Sequence, residues 1–180
     1  MFEWLEYCDW NVKNGIFEAD FDWKGAIEFK ARRMLQLRFE KKIKSIFAKS
    51  DLYVFEMTEM DKIISYGREF FDPRLTGEAI LVAGTFFRDI IHTTHGTIQI
   101  GPFACMPTRV VESVLTAEAT VENKKALDKR ITGNSHACDN ISTLPFLSIE
   151  SDGNPFPAIL ESRIEAFCLQ VERLHERMKT

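Results

Sequence analysis

The residue with the clearest chemical potential is Cys105, which lies in the segment TIQIGPFACMPTR. The apolar run Ile98–Ile100 predicts a short strand, Gly101–Pro102 ends it, and Pro107 is typical of the first turn of a helix. The sequence therefore predicts a thiol between the carboxyl end of a strand and the amino end of a helix. Free N–H groups and the helix dipole favour anions at such a place. A cysteine there tends towards the thiolate, the form that binds metals or attacks electrophiles.

A second group of candidate residues lies at the end of the other predicted strand, Leu144–Glu150. Glu150 and Asp152 flank Ser151, and as a general acid and base they would need matched pKa values. The alternative is that Asp152 caps the last helix while Glu150 pairs with an arginine, either Arg163 or Arg109. Surface ion pairing is also the commoner role for both arginines.

The remaining metal-ligating residue types give weaker signals. His92 and His95 lie three apart and could share a metal, but no third ligand is signalled nearby. His136 and Cys138 lie in the polar segment 132–140, which predicts either a metal or redox site or a surface loop.

The four cysteines are too scattered to form a local zinc-ribbon or thioredoxin motif, since none lies in a CxxC pair. Disulfides are not expected in a chain without a secretory signal. Cys168 falls on the apolar side of its predicted helix, so we expect it in the core.

Composition sets the class of protein. The chain has 180 residues, 45% hydrophobic residues and a formal net charge of −4, which predicts a globular domain and argues against general polyanion binding. No apolar run is long enough to span a bilayer and no secretory signal is visible. We therefore expect a cytoplasmic protein without a membrane partner, and a homo-oligomer is one expectation for its assembly.

A long basic helix is predicted from Trp23 to Ser50, with apolar residues at helical spacing. Two interpretations stand side by side. The helix has either a solvated basic face or a docking face for an acidic partner or coenzyme phosphates. A nucleic-acid partner is disfavoured by the acidic total.

The predicted order strand–helix–strand–helix indicates an α/β fold: a helix-rich chain with a small parallel sheet of few strands flanked by helices, like half of a Rossmann fold. Leu52–Glu56 is a further strand candidate. Because ligands gather at the carboxyl ends of parallel strands, we expect Cys105 and the Glu150–Asn154 turn to be neighbours. Residues 1–23 are predicted to be an extension packed on the body or the stub of a larger protein, and residues 24–180 a single α/β domain.

Three further expectations concern helices. Gly77 and Gly84 are expected to permit close packing of the helix predicted over Leu75–His92. The helix after Cys105 is expected to run into a solvated end between Glu118 and Lys129. The last helix is expected to bury one apolar stripe, formed by Leu160, Ile164, Phe167, Val171, Leu174 and Met178.

Four segments occur in an order and spacing that resembles a known family: GEAIL, PFACMP, LPFLSIESDG and SRIEAF, which begin at Gly77, Pro102, Leu144 and Ser162. From about Leu75 to its C-terminus the chain is similar to the C-terminal region of bacterial acyl-CoA dehydratase activase-related proteins, also called CoA-substrate-specific enzyme activases. More distantly, the same region resembles the iron–sulfur subunits of 2-hydroxyacyl-CoA dehydratases.

The resemblance implies that Cys105 is a ligand of a [4Fe–4S] cluster used for electron transfer. Such a cluster normally takes about four ligands, mostly thiolates, so the others would come from another chain or an upstream domain, with Cys138 and Cys8 as the chain's own further candidates. Arg109 and Arg163 would then stabilise a reduced cluster or a CoA phosphate, beside Glu150 and Asp152.

Two functional hypotheses follow from the resemblance. In the first, the chain is an electron-transfer domain of an activase-type system, and its partner is an upstream ATPase domain or a dehydratase subunit. The alternative is a non-catalytic interaction domain that keeps the fold without a metal. Convergence of Cys105 with a second thiol within metal-ligand reach would favour the first, and a Cys105 that is alone and buried would favour the second.

Overall fold

The structure is a computed structural model that describes residues 2–18, 23–133, 141–153 and 158–178. Its contacts divide the chain into two compact units, Met1–Asp61 and Lys62–Thr180. The predicted boundary at residue 23 stays a prediction. His136, Cys138 and the end of the Glu150–Asn154 turn lie outside the described residues.

The described elements alternate between helices and two strands. In chain order they are α1 (Phe2–Lys13), α2 (Trp23–Phe47), a 3-10 turn (Ala48–Ser50), α3 (Met60–Gly67), a 3-10 turn (Pro73–Leu75), α4 (Ala79–Asp89), β1 (Thr97–Pro102), α5 (Met106–Glu118), α6 (Val121–Thr132), β2 (Phe146–Ser151) and α7 (Ala158–Met178). Within these ranges, no helix is both long enough and apolar enough to cross a membrane.

The first unit confirms the long basic helix, but that helix packs through polar side chains. Glu6 and Asp9 of α1 are buried, and they meet Arg33 and Arg32 of α2 at 3.4 and 2.5 Å. The arginines of α2 face α1 because the α1 surface that they contact is acidic. Buried Glu40 is held by Lys44 at 2.7 Å.

The apolar residues of α2 are consequently not a core stripe. Most of them are exposed, among them Ile27, Met34, Leu35, Phe39, Ile46 and Phe47. The strand candidate Leu52–Glu56 is also wrong, since these residues form no strand and Leu52 and Val54 are exposed. The described part of this unit contains no strand with which Leu52–Glu56 could pair.

In the second unit, β1 and β2 form a two-stranded parallel sheet. The register pairs Ile98 with Leu147 and Ile100 with Ile149. Helices flank this sheet, which confirms the predicted α/β, helix-rich architecture with a small parallel sheet.

The last helix buries the predicted stripe against this sheet. Leu160 and Phe167 form a core cluster with Leu147 and Ile149. The prediction that Cys168 is buried is wrong, because its side chain is exposed. The buried stripe is narrow, and the residue after Phe167 is already turned about 100° away from it.

Two glycines bring α3 and α4 together. A Cβ on Gly84 would lie 2.2 Å from the carbonyl oxygen of Ile63, and one on Gly67 would lie 2.3 Å from that of Ile80. Close packing at Gly84 is therefore confirmed. Gly77 plays no such part, since the nearest atom to its Cβ position is 3.7 Å away.

The segment after α5 is not a solvated helix end. Helix α5 ends at its C-cap Ala119, and α6 begins directly after it. The hydroxyl of Thr120, the N-cap of α6, accepts a hydrogen bond from the N–H of Asn123 at 3.2 Å. Lys124 and Asp128 on α6 are only 1% and 2% exposed. An i,i+4 charge pair suggests an exposed helix face, but here it points into the core.

Candidate functional site

Cys105 occupies the position that the sequence predicts, between β1 and α5. It is the N-cap residue of α5, with φ −66° and ψ 116°. Its N–H donates to the carbonyl of Pro102 at 3.2 Å, and its own carbonyl accepts from Arg109 at 3.0 Å. The backbone is thereby fixed on both sides, and the half-buried thiol is held at the start of the helix.

The turn that presents Cys105 is conformationally demanding. Ala104 has a φ of 57°, a left-handed conformation that costs a non-glycine residue roughly 1–2 kcal/mol. Thr76, before α4, also has a positive φ of 35°. Strained backbone of this kind persists where the surroundings enforce it, often at binding sites.

Gly101 allows α5 to approach the end of β1. A Cβ at this position would lie 2.4 Å from Oγ1 of the buried Thr108. The first turn of α5 is therefore locked against the strand, and the orientation of the Cys105 turn follows from that contact.

The carboxyl ends of the two strands meet as predicted. The N–H of Phe103 donates to the carbonyl of Ser151 at 3.1 Å, and Gly101 is in register with Glu150. Nε of Arg109 lies 2.6 Å from Oε1 of Glu150, an ion pair in which the N–H does not point at the oxygen. Of the two arginines considered, Arg109 is the partner of Glu150.

The other two predicted site residues lie differently. Arg163, on α7, donates to the carbonyl of Ser148 at 2.9 Å, in the middle of β2. Asp152 follows β2 and is exposed. The described structure thus brings Cys105, Arg109 and Glu150 together at the carboxyl end of the sheet. Arg163 instead binds the carbonyl of Ser148, nearer the start of β2.

An apolar cavity of about 260 Å³ adjoins the start of α5. It lies between the first residues of α5, the first turn of α4 and the 3-10 turn before it. Its walls are Phe71, Asp72, Leu75, Thr76, Gly77, Ala79, Ile80, Met106, Pro107 and Val110. Two of these residues, Met106 and Pro107, directly follow Cys105, so one local fold positions both the thiol and the cavity.

The metal interpretation requires converging ligands. Within the described ranges, no group of three or more His, Cys, Asp or Glu side chains is arranged to hold a metal ion. Cys8 belongs to the first unit, and burial, with Asp9 adding to it, raises the pKa of its thiol. The described residues alone therefore do not fit a [4Fe–4S] cluster.

The two histidines contact different residues. His95 contacts the ring of His175, at 4.7 Å between centroids. Nε2 of His92 lies 3.0 Å from Asp128. A metal shared by the two histidines stays a prediction.

Sequence reasoning missed a buried polar network around Asp128. Oδ1 of Asp128 accepts from the hydroxyl of Tyr66 and from Nζ of Lys124, both at 2.7 Å. Lys124 also donates to the carbonyl of Phe87 at 2.6 Å. Burial and the bond to Asp128 raise the pKa of Tyr66, and burial lowers the pKa of Lys124 against the pull of Asp128.

Only part of this polar network could be recognised from the sequence. The spacing of Lys124 and Asp128 is visible, but Tyr66 and Asp128 are 62 residues apart. The apolar cavity also combines residues from two separated segments, 71–80 and 106–110, so no local pattern predicts it.

Comparison of the chain with protein-family models, with curated proteins and with solved structures finds no match. The family resemblance stays a prediction.

Proposed function

We propose that the chain is a docking module of an acyl-CoA dehydratase activase-type system. Its cavity between α4 and α5 receives an apolar side chain of a partner protein. The observation that carries this proposal is the apolar pocket of about 260 Å³ directly beside the Cys105 turn. Largely apolar concavities with a few polar groups are typical binding sites.

The surface around the pocket supports the proposal. Leu75 and Met106, both at its walls, are 71% and 74% exposed, and Phe103 in the adjacent turn is 71% exposed. Single exposed apolar residues are common, but a cluster beside a cavity is typical of an interaction site.

Charged groups lie around this apolar centre. Arg74 contacts Asp72 at 2.6 Å, and its hydrogen bonds lower the pKa of Asp72 to about 2. Arg109, which precedes the wall residue Val110, pairs with Glu150 and Glu112. An apolar centre with a polar rim is the usual anatomy of a protein interface.

The partner class comes from the resemblance. It is an activase-type ATPase domain or a 2-hydroxyacyl-CoA dehydratase subunit, and both serve as probes. Val110 is a wall of the cavity and is partly exposed, so Val110→Trp fills the pocket from its exposed side. Leu169→Trp, on the exposed face of α7, is the matched control.

Titration of the full chain with each purified probe tests the proposal. We expect at least one probe to bind, the Val110→Trp variant to bind it at least about tenfold more weakly, and Leu169→Trp to bind it like the unmodified chain. Binding of neither probe, or equal binding by Val110→Trp, would overturn the proposal.

The iron–sulfur role of Cys105 is the second candidate, favoured by the half-buried thiol at the N-cap of α5. It needs ligands from Cys138, outside the described residues, or from another chain. Anaerobic reconstitution with iron and sulfide, followed by EPR, tests it with Cys105→Ala as control. A cluster signal that disappears in Cys105→Ala would replace a purely docking role, whereas no signal in either protein would show that this chain alone does not supply a complete ligand set.

A further inference from the structure

The outer edge of β1 has the features of a pairing surface. The N–H groups of Thr97 and Phe103 donate to carbonyls on the β2 side, at 3.1 Å each. In a parallel ladder, alternate residues bond to the same neighbour. The N–H and C=O groups of Ile98 and Ile100 therefore point away from β2, and β2 is the only strand paired with β1 in the described part of the chain.

The side chains along this edge are apolar and uncovered. Ile98 and Ile100 are 43% and 66% exposed, although their register partners Leu147 and Ile149 are buried under α7. Partners in a parallel register point to the same face, so the two isoleucines extend the apolar face beyond the area that α7 covers.

The edge also lacks the usual protection against pairing. The strand reads TIQIGP and contains no charged residue, whereas exposed edges are normally blunted by charges or proline. Pro102 has no N–H to offer, but it stands at the last position of the strand. Parallel sheets are normally enclosed, and two strands alone are marginal.

We propose that a second copy of this chain pairs with the β1 edge, antiparallel, about a two-fold axis through Gln99. In this register Ile98 faces Ile100 of the other copy. Both residues turn their N–H and C=O groups outward, so the two Ile98–Ile100 pairs make four hydrogen bonds. A two-fold interface requires such a self-complementary patch. The result is a four-stranded sheet with β1 strands at its centre.

The side chains fit the same axis. Each exposed Ile98 gains a cross-strand contact with an exposed Ile100 on the same face, the kind of pair that stabilises sheets. The two Gln99 residues face each other on the opposite side of the sheet.

The oligomeric state of the full chain, measured by sedimentation over a range of concentrations, tests the proposal. We expect a dimer whose dissociation constant rises about tenfold or more in Ile100→Lys, because each dimer carries the substitution twice. Ile159→Lys, which changes another exposed isoleucine of the same unit, is the control and should leave the dimer intact. A chain that stays monomeric, or a dimer unaffected by Ile100→Lys, would overturn the proposal.

A cross-linking experiment tests the register separately. Facing residues of a non-hydrogen-bonded pair have Cα atoms about 4.5 Å apart, within the range of a disulfide. Gln99→Cys should therefore form a cross-linked dimer on oxidation, above the background of the native thiols, and Ile98→Cys should not. Equal cross-linking by both variants, or none above background in Gln99→Cys, would contradict the two-fold axis at Gln99.

Discussion

Removing the carboxylate of Asp128 tests the most heavily buried polar contact of the second unit. Asp128→Ala deprives Lys124 of its only described carboxylate contact within 4 Å and deprives the Tyr66 hydroxyl of its described acceptor. Lys124 is 1% exposed, so water cannot replace the lost partner without local opening.

The expected cost follows from this burial. Breaking a buried ion pair from one side typically costs about 3–5 kcal/mol, because an uncompensated charge remains. The pKa of Lys124 is already lowered by burial, and the loss of Asp128 should lower it further. The double variant Asp128→Ala, Lys124→Met removes both charges and should cost less than the sum of the single changes, by about 1–3 kcal/mol.

Urea unfolding followed by far-ultraviolet circular dichroism measures these free energies. Glu122→Ala, an exposed charge on the same helix, is the matched control and should change stability by about 0.5 kcal/mol or less. A cost below about 1 kcal/mol for Asp128→Ala, or strictly additive costs in the double variant, would refute the account of this network.

Two further predictions concern packing and pH. Gly84→Ala should destabilise the chain by about 1–3 kcal/mol, because the new Cβ would meet the carbonyl oxygen of Ile63 at 2.2 Å. Gly77→Ala is the control, since no atom lies closer than 3.7 Å to its Cβ position, and it should be nearly neutral in the same urea titration. Equal effects of the two substitutions would contradict the close contact at Gly84. Burial raises the pKa of Glu40, but hydrogen bonds from Lys44 and Thr58 outweigh it and leave the pKa lowered. The ionised carboxylate therefore stabilises the first unit above the unfolded value of about 4.3, and this contribution is lost as the pH falls through the folded value. Tryptophan fluorescence of the first unit should show a smaller acid-induced loss of stability in Glu40→Gln than in the unmodified chain, and identical pH profiles would contradict this assignment.

The parts of the fold that local patterns encode were predictable. The strand, turn and helix around Cys105 follow from an apolar run, Gly101–Pro102 and Pro107, and the stripe of α7 follows from its spacing. The parallel pairing of β1 with β2 follows from the order of elements, and with it the proximity of the Cys105 turn to Glu150.

The parts that depend on distant partners were not predictable. The apolar residues of α2 look like a core stripe until the acidic, buried side chains of α1 are known. The burial of Lys124 depends on Asp128, four residues away, and on Tyr66, 62 residues away from Asp128. The cavity likewise needs two separated segments, residues 71–80 and 106–110. Periodicity detects which residues share a helix face, but it does not say what that face meets.

Methyl NMR spectra of the full chain, recorded while the ATPase domain or the dehydratase subunit is added, test the docking proposal most directly. The chain offers reporters at both candidate surfaces, with Ile80 and Met106 at the cavity and Ile27 and Ile46 on the basic helix α2. We expect one of the two probes to shift the signals of Ile80 and Met106 and to leave those of Ile27 and Ile46 in place. Shifts confined to α2, or no shifts with either probe, would contradict it.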